Sequence, residues 1–155
     1  MALLLGGPQV IEVCDYAQGD IFDLIDIKEI YSHDRGALER VEELRLQPKV
    51  TIKTIKSDLG IIAVVGGTLN WPGVMEIWSV TGNEVYKHPL SYFKTCIRLL
   101  SDYQKTFGIH RFQASCLYGK EDLEKWFSKL GFLKEATMRK YGPNGEDFYL
   151  FARVF

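Results

Sequence analysis

Cysteine is scarce, and its placement excludes two classes of protein at once. Cys14, Cys96 and Cys116 are far apart, odd in number, and belong to no CxxC pair or His-flanked cluster. Neither a disulfide framework nor a zinc site has its raw material, and three reduced thiols are expected. A dominant charge is also missing: 19 Lys and Arg stand against 20 Asp and Glu. No global field draws the chain to nucleic acid or an anionic membrane, so any anion site has to be local. No apolar run approaches the roughly 18 residues of a membrane span. The opening stretch from Met1 to Leu5 is apolar but stops at Gly6, Gly7 and Pro8 with no basic flank, too short for a signal core. A cytoplasmic location is the expectation. Internal repeats and low-complexity segments are lacking as well.

What is present is enough apolar material for one core: 46% of 155 residues are hydrophobic, which suits a single domain over 1–155. Pro8 to Val13 alternates weakly and predicts a short first strand. Ile21, Leu24, Ile25, Ile27, Ile30 and Tyr31 fall on helical spacing, as do Ala37, Leu38, Val41 and Leu44 after a break at His33 to Gly36, so two helices are predicted. Val50 to Lys56 is rich in β-branched residues, Ser57 to Gly60 reads as a turn, and Ile61 to Val65 is an apolar run of the kind buried on both faces of a sheet. Asn70 to Gly73 makes a further turn before a strand from Val74 to Val80.

Phe93, Cys96, Leu100, Tyr103 and Phe107 form one helical stripe, with Pro89 at its start and Gly108 past its end, the expected punctuation of a helix. Ile109 to Leu117 predicts a strand with His110, Phe112, Ala114 and Cys116 on one face and Arg111, Gln113 and Ser115 on the other. A shorter helix follows with Leu123, Trp126, Phe127 and Leu130 on its apolar face and Gly131 as its stop. Two final strands, Phe132 to Tyr141 and Asp147 to Val154, are joined by Gly142-Pro-Asn-Gly145, a hairpin turn. The order β-αα-βββ-α-β-α-ββ is an α/β fold of the mixed α+β kind, with helices on both faces of one sheet.

That order resembles the GNAT (N-acetyltransferase) superfamily over residues 9–154, and Trp126-Phe-Ser-Lys-Leu-Gly-Phe132 is similar to its late-helix motif before a hairpin. Residues Trp78 to Tyr86, the long helix without a glycine loop and the Gly-Pro-Asn-Gly turn also resemble GNAT-like proteins encoded by tailed phages, including an internal virion protein of the T7-like group. The broader resemblance implies an acyl-CoA-dependent N-acyltransferase that uses acetyl-CoA and an amine acceptor. The narrower one implies a virion-associated or host-takeover protein, with virion components as partners, that has kept the fold and lost CoA binding.

The family's phosphate loop, R/Q-x-x-G-x-G/A, uses glycines so that backbone amides can close on a diphosphate at a helix N-terminus. The corresponding stretch is Lys87-His-Pro-Leu-Ser-Tyr92, with Leu90 and Tyr92 at the glycine positions. Lys87, His88 and Ser91 are then candidate phosphate contacts, and Trp78, Ser79 and Val80 the strand edge for pantetheine. The residues alone read equally as a solvated loop ahead of a Pro-started helix. Glu76 stands where the family carries a carboxylate that takes the amine proton through water, or is an outward-facing residue of a half-exposed strand. The thiolate-protonating Tyr of the late helix is replaced by Phe127. Tyr118 is the substitute acid, or an ordinary interfacial Tyr. Ser115 and Cys116 have no His or Asp at a triad spacing, and Cys116 reads as core. Trp71, Trp78 and Tyr86 are candidates to line an acceptor pocket.

Overall fold

The computed structural model describes residues 11–28 and 35–155. Strand β1 (Glu12–Asp15) leads into a 3-10 turn at Asp20–Asp23, and helix α1 (Arg35–Leu44) precedes three strands, β2 (Val50–Ser57), β3 (Gly60–Trp71) and β4 (Val74–Thr81). A second 3-10 turn (Asn83–Lys87) runs into the long helix α2 (Pro89–Phe107). Then come β5 (Arg111–Leu117), α3 (Glu121–Lys129), β6 (Leu133–Met138) and β7 (Phe148–Val154). The strands are ordered β1-β2-β3-β4-β5-β7-β6. The pairs β1 with β2, β5 with β7 and β6 with β7 are antiparallel, while β4 with β5 is parallel. The chain divides into two compact units, Met1–Gly66 with Ser79–Thr95 and Gly67–Trp78 with Cys96–Phe155. Among the described residues no helix is long and apolar enough to cross a membrane.

In the first unit, the Ile61–Val65 run is buried throughout, as a central strand requires. The expected helix over Ile21 to Ile27 is replaced by the 3-10 turn and two isolated bridges, Leu24 with Ile61 and Ile27 with Gly82. The reason is where the backbone bonds go. The Ile25 amide donates to the Ile61 carbonyl at 2.9 Å and the Lys28 amide to the Thr81 carbonyl at 3.4 Å. Asp26 sits at φ 45°, a left-handed conformation that no helix interior holds. The remaining positions of that pattern, Ile30 and Tyr31, lie outside the described residues, as do Pro8 to Val10 of the predicted first strand.

Helix α1 is tied down by one carboxylate. Glu42 accepts the Tyr16 hydroxyl, the Gly19 amide at 3.1 Å and Arg45 Nε at 2.8 Å. Burial pushes this carboxyl up, but the three donors together hold it below the usual glutamate value. Burial, then the Glu42 carboxylate, pushes the Tyr16 phenol far above its ordinary value. The fully buried Thr54 donates to Asp20 at 2.6 Å, fixing the 3-10 turn to β2.

In the second unit, β5 alternates as its sequence predicts: Phe112, Ala114 and Cys116 are buried while Arg111, Gln113 and Ser115 are half-buried. Both helix ends there are closed by glycine in the left-handed region. Gly108 (φ 61°) is followed by an Ile109 amide donating to Gln104, and Gly131 (φ 87°) by a Phe132 amide donating to Phe127 at 2.9 Å. This is the bond that satisfies a helix's last carbonyls. Phe112 and Phe132 are the largest fully buried side chains of this unit, and truncating either to Ala would cost about 3–5 kcal/mol.

Candidate functional site

The second unit carries the strand junction. β4 and β5 pair in parallel through only three residues each, Val74–Arg111, Met75–Phe112 and Glu76–Gln113. Ile77, Trp78 and the rest of β5 from Ala114 onward continue as strand without that pairing. Each strand therefore keeps backbone donors and acceptors on the edge that the other has left. Glu76 closes the ladder, half-buried, and has no ion-pair or hydrogen-bond partner among the described residues. Trp78 is half-buried, but its indole Nε1 is enclosed and without an acceptor.

Farther along β5, Cys116 is 3% exposed and burial, followed by the Glu124 charge, pushes its thiol up to about 11. Such a thiol is packing rather than a nucleophile. Tyr118, just past the strand, is exposed with its ring 4.9 Å from that of Tyr149. Lys134 Nζ lies 3.8 Å from the Tyr149 ring centroid and 2.8 Å from Glu124. Burial raises the Tyr149 phenol, and the neighbouring Tyr118 hydroxyl raises it further. Phe127 stacks on Phe151 at 5.1 Å and meets Phe132 edge-on. Its position is filled by packing, with no hydroxyl to offer.

In the first unit, the end of β4 passes from the exposed Ser79 to the buried Val80 and Thr81. The following 3-10 turn holds a buried carboxylate. Glu84 is 4% exposed and its carboxylate lies 3.0 Å from Lys87 Nζ and 3.7 Å from His88 Nε2. His88 is itself 5% exposed and its Nε2 has no hydrogen bond. Lys87 and His88 were expected to face an anion or solvent. Lys87 is exposed with its charge engaged by Glu84, and His88 is enclosed beneath the loop. Glu84 was missed, although Glu84 and His88 stand four residues apart, the spacing of one helical turn.

Helix α2 begins at Pro89, whose missing amide costs nothing there. The Tyr92 amide is taken by the His88 carbonyl at 2.8 Å, while the amides of Leu90 and Ser91 have no backbone acceptor among the described residues. Leu90 is turned to solvent, 63% exposed, and Tyr92 is buried. Ser91 is exposed in the first turn. Trp71 and Tyr86 are exposed, with Lys28 Nζ 4.7 Å from the Tyr86 ring centroid. Among the described residues no group of three or more His, Cys, Asp or Glu is placed to hold a metal ion.

No family model matches the chain, and no curated protein matches it. Solved structures do. A spermidine N-acetyltransferase, a chimera of Vibrio cholerae SpeG and hSSAT, matches with a TM-score of 0.74 at 12% identity, over 93% of this chain and 95% of that one. The ribosomal-protein-S5-alanine acetyltransferase of Vibrio fischeri matches with a TM-score of 0.68 at 18% identity, over 93% and 92%. The microcin C7 self-immunity acetyltransferase MccE, in complex with acetyl-CoA and AMP, matches with a TM-score of 0.64 at 19% identity, over 77% and 69%. At these identities the likeness is one of architecture, and the architecture is that of the GNAT acetyltransferases.

Proposed function

We propose that the chain is an acyl-CoA-dependent N-acyltransferase, one GNAT-like domain that moves an acetyl group from acetyl-CoA to an amine by direct attack. The observation that carries this reading is the three-residue parallel ladder between β4 and β5. A strand that loses its neighbour part-way exposes alternating donors and acceptors, which an extended ligand with amide groups can complete as an added strand would. Pantetheine has two amides in such a chain, so the exposed edge fits it. The unpartnered amides of Leu90 and Ser91 fit the diphosphate in the same sense, as the positive end of a 19-residue helix.

Each residue has one task in this reading. In the second unit, Glu76 takes the proton of the acceptor ammonium, directly or through a water, so that the amine lone pair can attack the thioester carbonyl. As the C–N bond forms and the C–S bond breaks, the Tyr118 hydroxyl protonates the departing thiolate, in place of the Tyr that Phe127 cannot supply, and the second proton shed by the acylated nitrogen passes through water to restore the Tyr118 hydroxyl. The edge from Trp78 to Val80 offers its backbone to pantetheine. In the first unit, Lys87 and Ser91 meet phosphate oxygens, and His88 supports the loop from beneath, beside Glu84. Titration calorimetry with acetyl-CoA, followed by an acetyl-transfer assay on a panel of amines, tests the reading. No heat at millimolar acetyl-CoA would sink it.

One observation favours a second reading, a virion-associated protein that has kept the fold and lost the cofactor. The buried Glu84 already neutralises Lys87 in the loop where a diphosphate would sit, and Leu90 and Tyr92 replace the glycines. Under that reading acetyl-CoA does not bind and the chain is found in purified phage particles.

A further inference from the structure

Within the second unit, β5 and β7 pair antiparallel, with Ala114 opposite Phe151 and Cys116 opposite Tyr149. Paired residues share a face of the sheet, and alternate residues of a strand return to it. The Tyr118 amide still donates to the Asp147 carbonyl at 3.0 Å, which carries the pairing one residue past β5 and sets Tyr118 on the face of Tyr149. The rings there form a string. Phe127 stacks on Phe151 with centroids 5.1 Å apart, Phe151 meets Tyr149 edge-on at 6.3 Å, and Tyr149 lies 4.9 Å from Tyr118. The two rings at the α3 end carry no polar atom, and the two at the other end each carry a hydroxyl.

Those hydroxyls are joined, and the bond has a direction. Burial first, and then the hydrogen bond to Tyr118, hold the proton on Tyr149. A bond that favours the neutral phenol is one that Tyr149 gives and Tyr118 receives. Lys134 Nζ, held by Glu124 at 2.8 Å, lies 3.8 Å from the Tyr149 ring centroid, and its charge acts on that phenol in the opposite sense, making it a stronger donor. Tyr149 is half-buried and Tyr118 is exposed, so Tyr118 is the member of the pair that a substrate can reach. We infer that Tyr149 is a positioning residue for the step that protonates the thiolate: its hydroxyl donates to the Tyr118 oxygen and stabilises that oxygen as the proton leaves. The O–H bond of Tyr118 breaks as the S–H bond forms, and Tyr149 keeps its own proton throughout. The charge left on the Tyr118 oxygen is shared with Tyr149 until the proton from the acylated nitrogen arrives through water. This deepens the acyltransferase reading and rests on it, but the pair itself is measurable without turnover.

Tyr149→Phe keeps the ring against Phe151 and Lys134 and removes only the hydroxyl. It should lower kcat with acetyl-CoA about tenfold or more, the scale of one hydrogen bond to a charged oxygen, while KM for acetyl-CoA stays within about twofold. The loss should shrink with a thioester whose thiolate leaves without a proton. Because Tyr149 acts through Tyr118, adding Tyr149→Phe to Tyr118→Phe should change the residual kcat by less than about twofold. A residue that only supports the packing would impose its loss in either background. Independently of turnover, the ionisation of 13C-labelled tyrosines is followed by NMR. In Tyr118→Phe, Tyr149 should ionise at lower pH than in the parent, because the bond that holds its proton has gone; this carries the test should Tyr149→Phe fail to fold. With an active parent, full kcat in Tyr149→Phe, additive losses in the double variant, or an unmoved Tyr149 ionisation would overturn the inference and leave the acyltransferase reading standing. A parent that neither binds acetyl-CoA nor transfers removes that reading, and the role given to Tyr149 goes with it even where its ionisation moves.

Discussion

Replacing Gly82 by Ala tests how the first unit is held together just ahead of the 3-10 turn at Asn83–Lys87. Gly82 has an ordinary extended backbone (φ −90°, ψ 168°), so Ala could adopt it without strain. The obstacle is space. A Cβ there would lie 2.1 Å from the Ile25 carbonyl oxygen and 3.1 Å from that of Asp26, both backbone atoms. Restoring ordinary contact requires a displacement of about 1 Å. The segment that has to move is bonded on both sides of the collision: the Asn83 amide reaches the Asp26 carbonyl at 2.8 Å and the Lys28 amide the Thr81 carbonyl at 3.4 Å. Losing both costs about 1 kcal/mol each, and the residual overpacking adds about 1–3 kcal/mol. Gly82→Ala should therefore destabilise by about 3–5 kcal/mol in urea denaturation at unchanged m-value. Gly108→Ala is the comparison, because Gly108 has φ 61° and open space around it, so its cost is conformational only, about 1–2 kcal/mol. A Gly82→Ala variant no less stable than Gly108→Ala would refute the claim that residues 25–28 are clamped to the end of β4.

Other outcomes follow from single side chains. The Glu42 carboxyl is held below its ordinary value in the folded chain, so its contribution is complete above the unfolded glutamate pKa and lost as pH falls through the lower folded one. Stability measured from pH 5 downward should fall less steeply in Glu42→Gln than in the parent. Cys116, with its thiol pushed up to about 11, should resist a thiol reagent at pH 8 in the native protein, while the half-buried Cys14 and Cys96 react; unfolding should release the third equivalent. If Glu76 is the base, Glu76→Gln should lower kcat by about 100-fold or more while acetyl-CoA binding measured by calorimetry stays within a factor of two or so. Tyr118→Phe should slow transfer from acetyl-CoA more than from an activated thioester, whose better leaving group needs no proton.

The long α2, the alternating β5 and the buried β3 run were legible because each repeats its period over enough residues for packing and propensity to agree, and because Pro89, Gly108 and Gly131 mark ends with unambiguous chemistry. Ile21 to Ile27 misled for the opposite reason. Its isoleucines fall three and four apart, yet the amides of Ile25 and Lys28 find partners in β3 and β4, an alternative that no local pattern contains. Glu76 and Tyr118 could be placed on or beside strands from the sequence. That Tyr118 has Tyr149 beside it required the pairing of β5 with β7, which joins residues far apart in the chain. Likewise, Lys87 and His88 are only polar letters in a loop until Glu84 is seen buried beside them.

Strand β6 ends the sheet order, and its residues from Leu133 to Thr137 are all exposed. Such a margin invites another chain to zip onto it and propagate as a fibre. The register slips between Lys134 and Ala136, so that Glu135 interrupts the ladder in the middle of a six-residue strand. A docking strand would meet at most two or three residues in regular register before the break, and two charged side chains beside it. The irregularity that accompanies the Glu135–Arg111 pair thus also works against self-association through the edge strand β6.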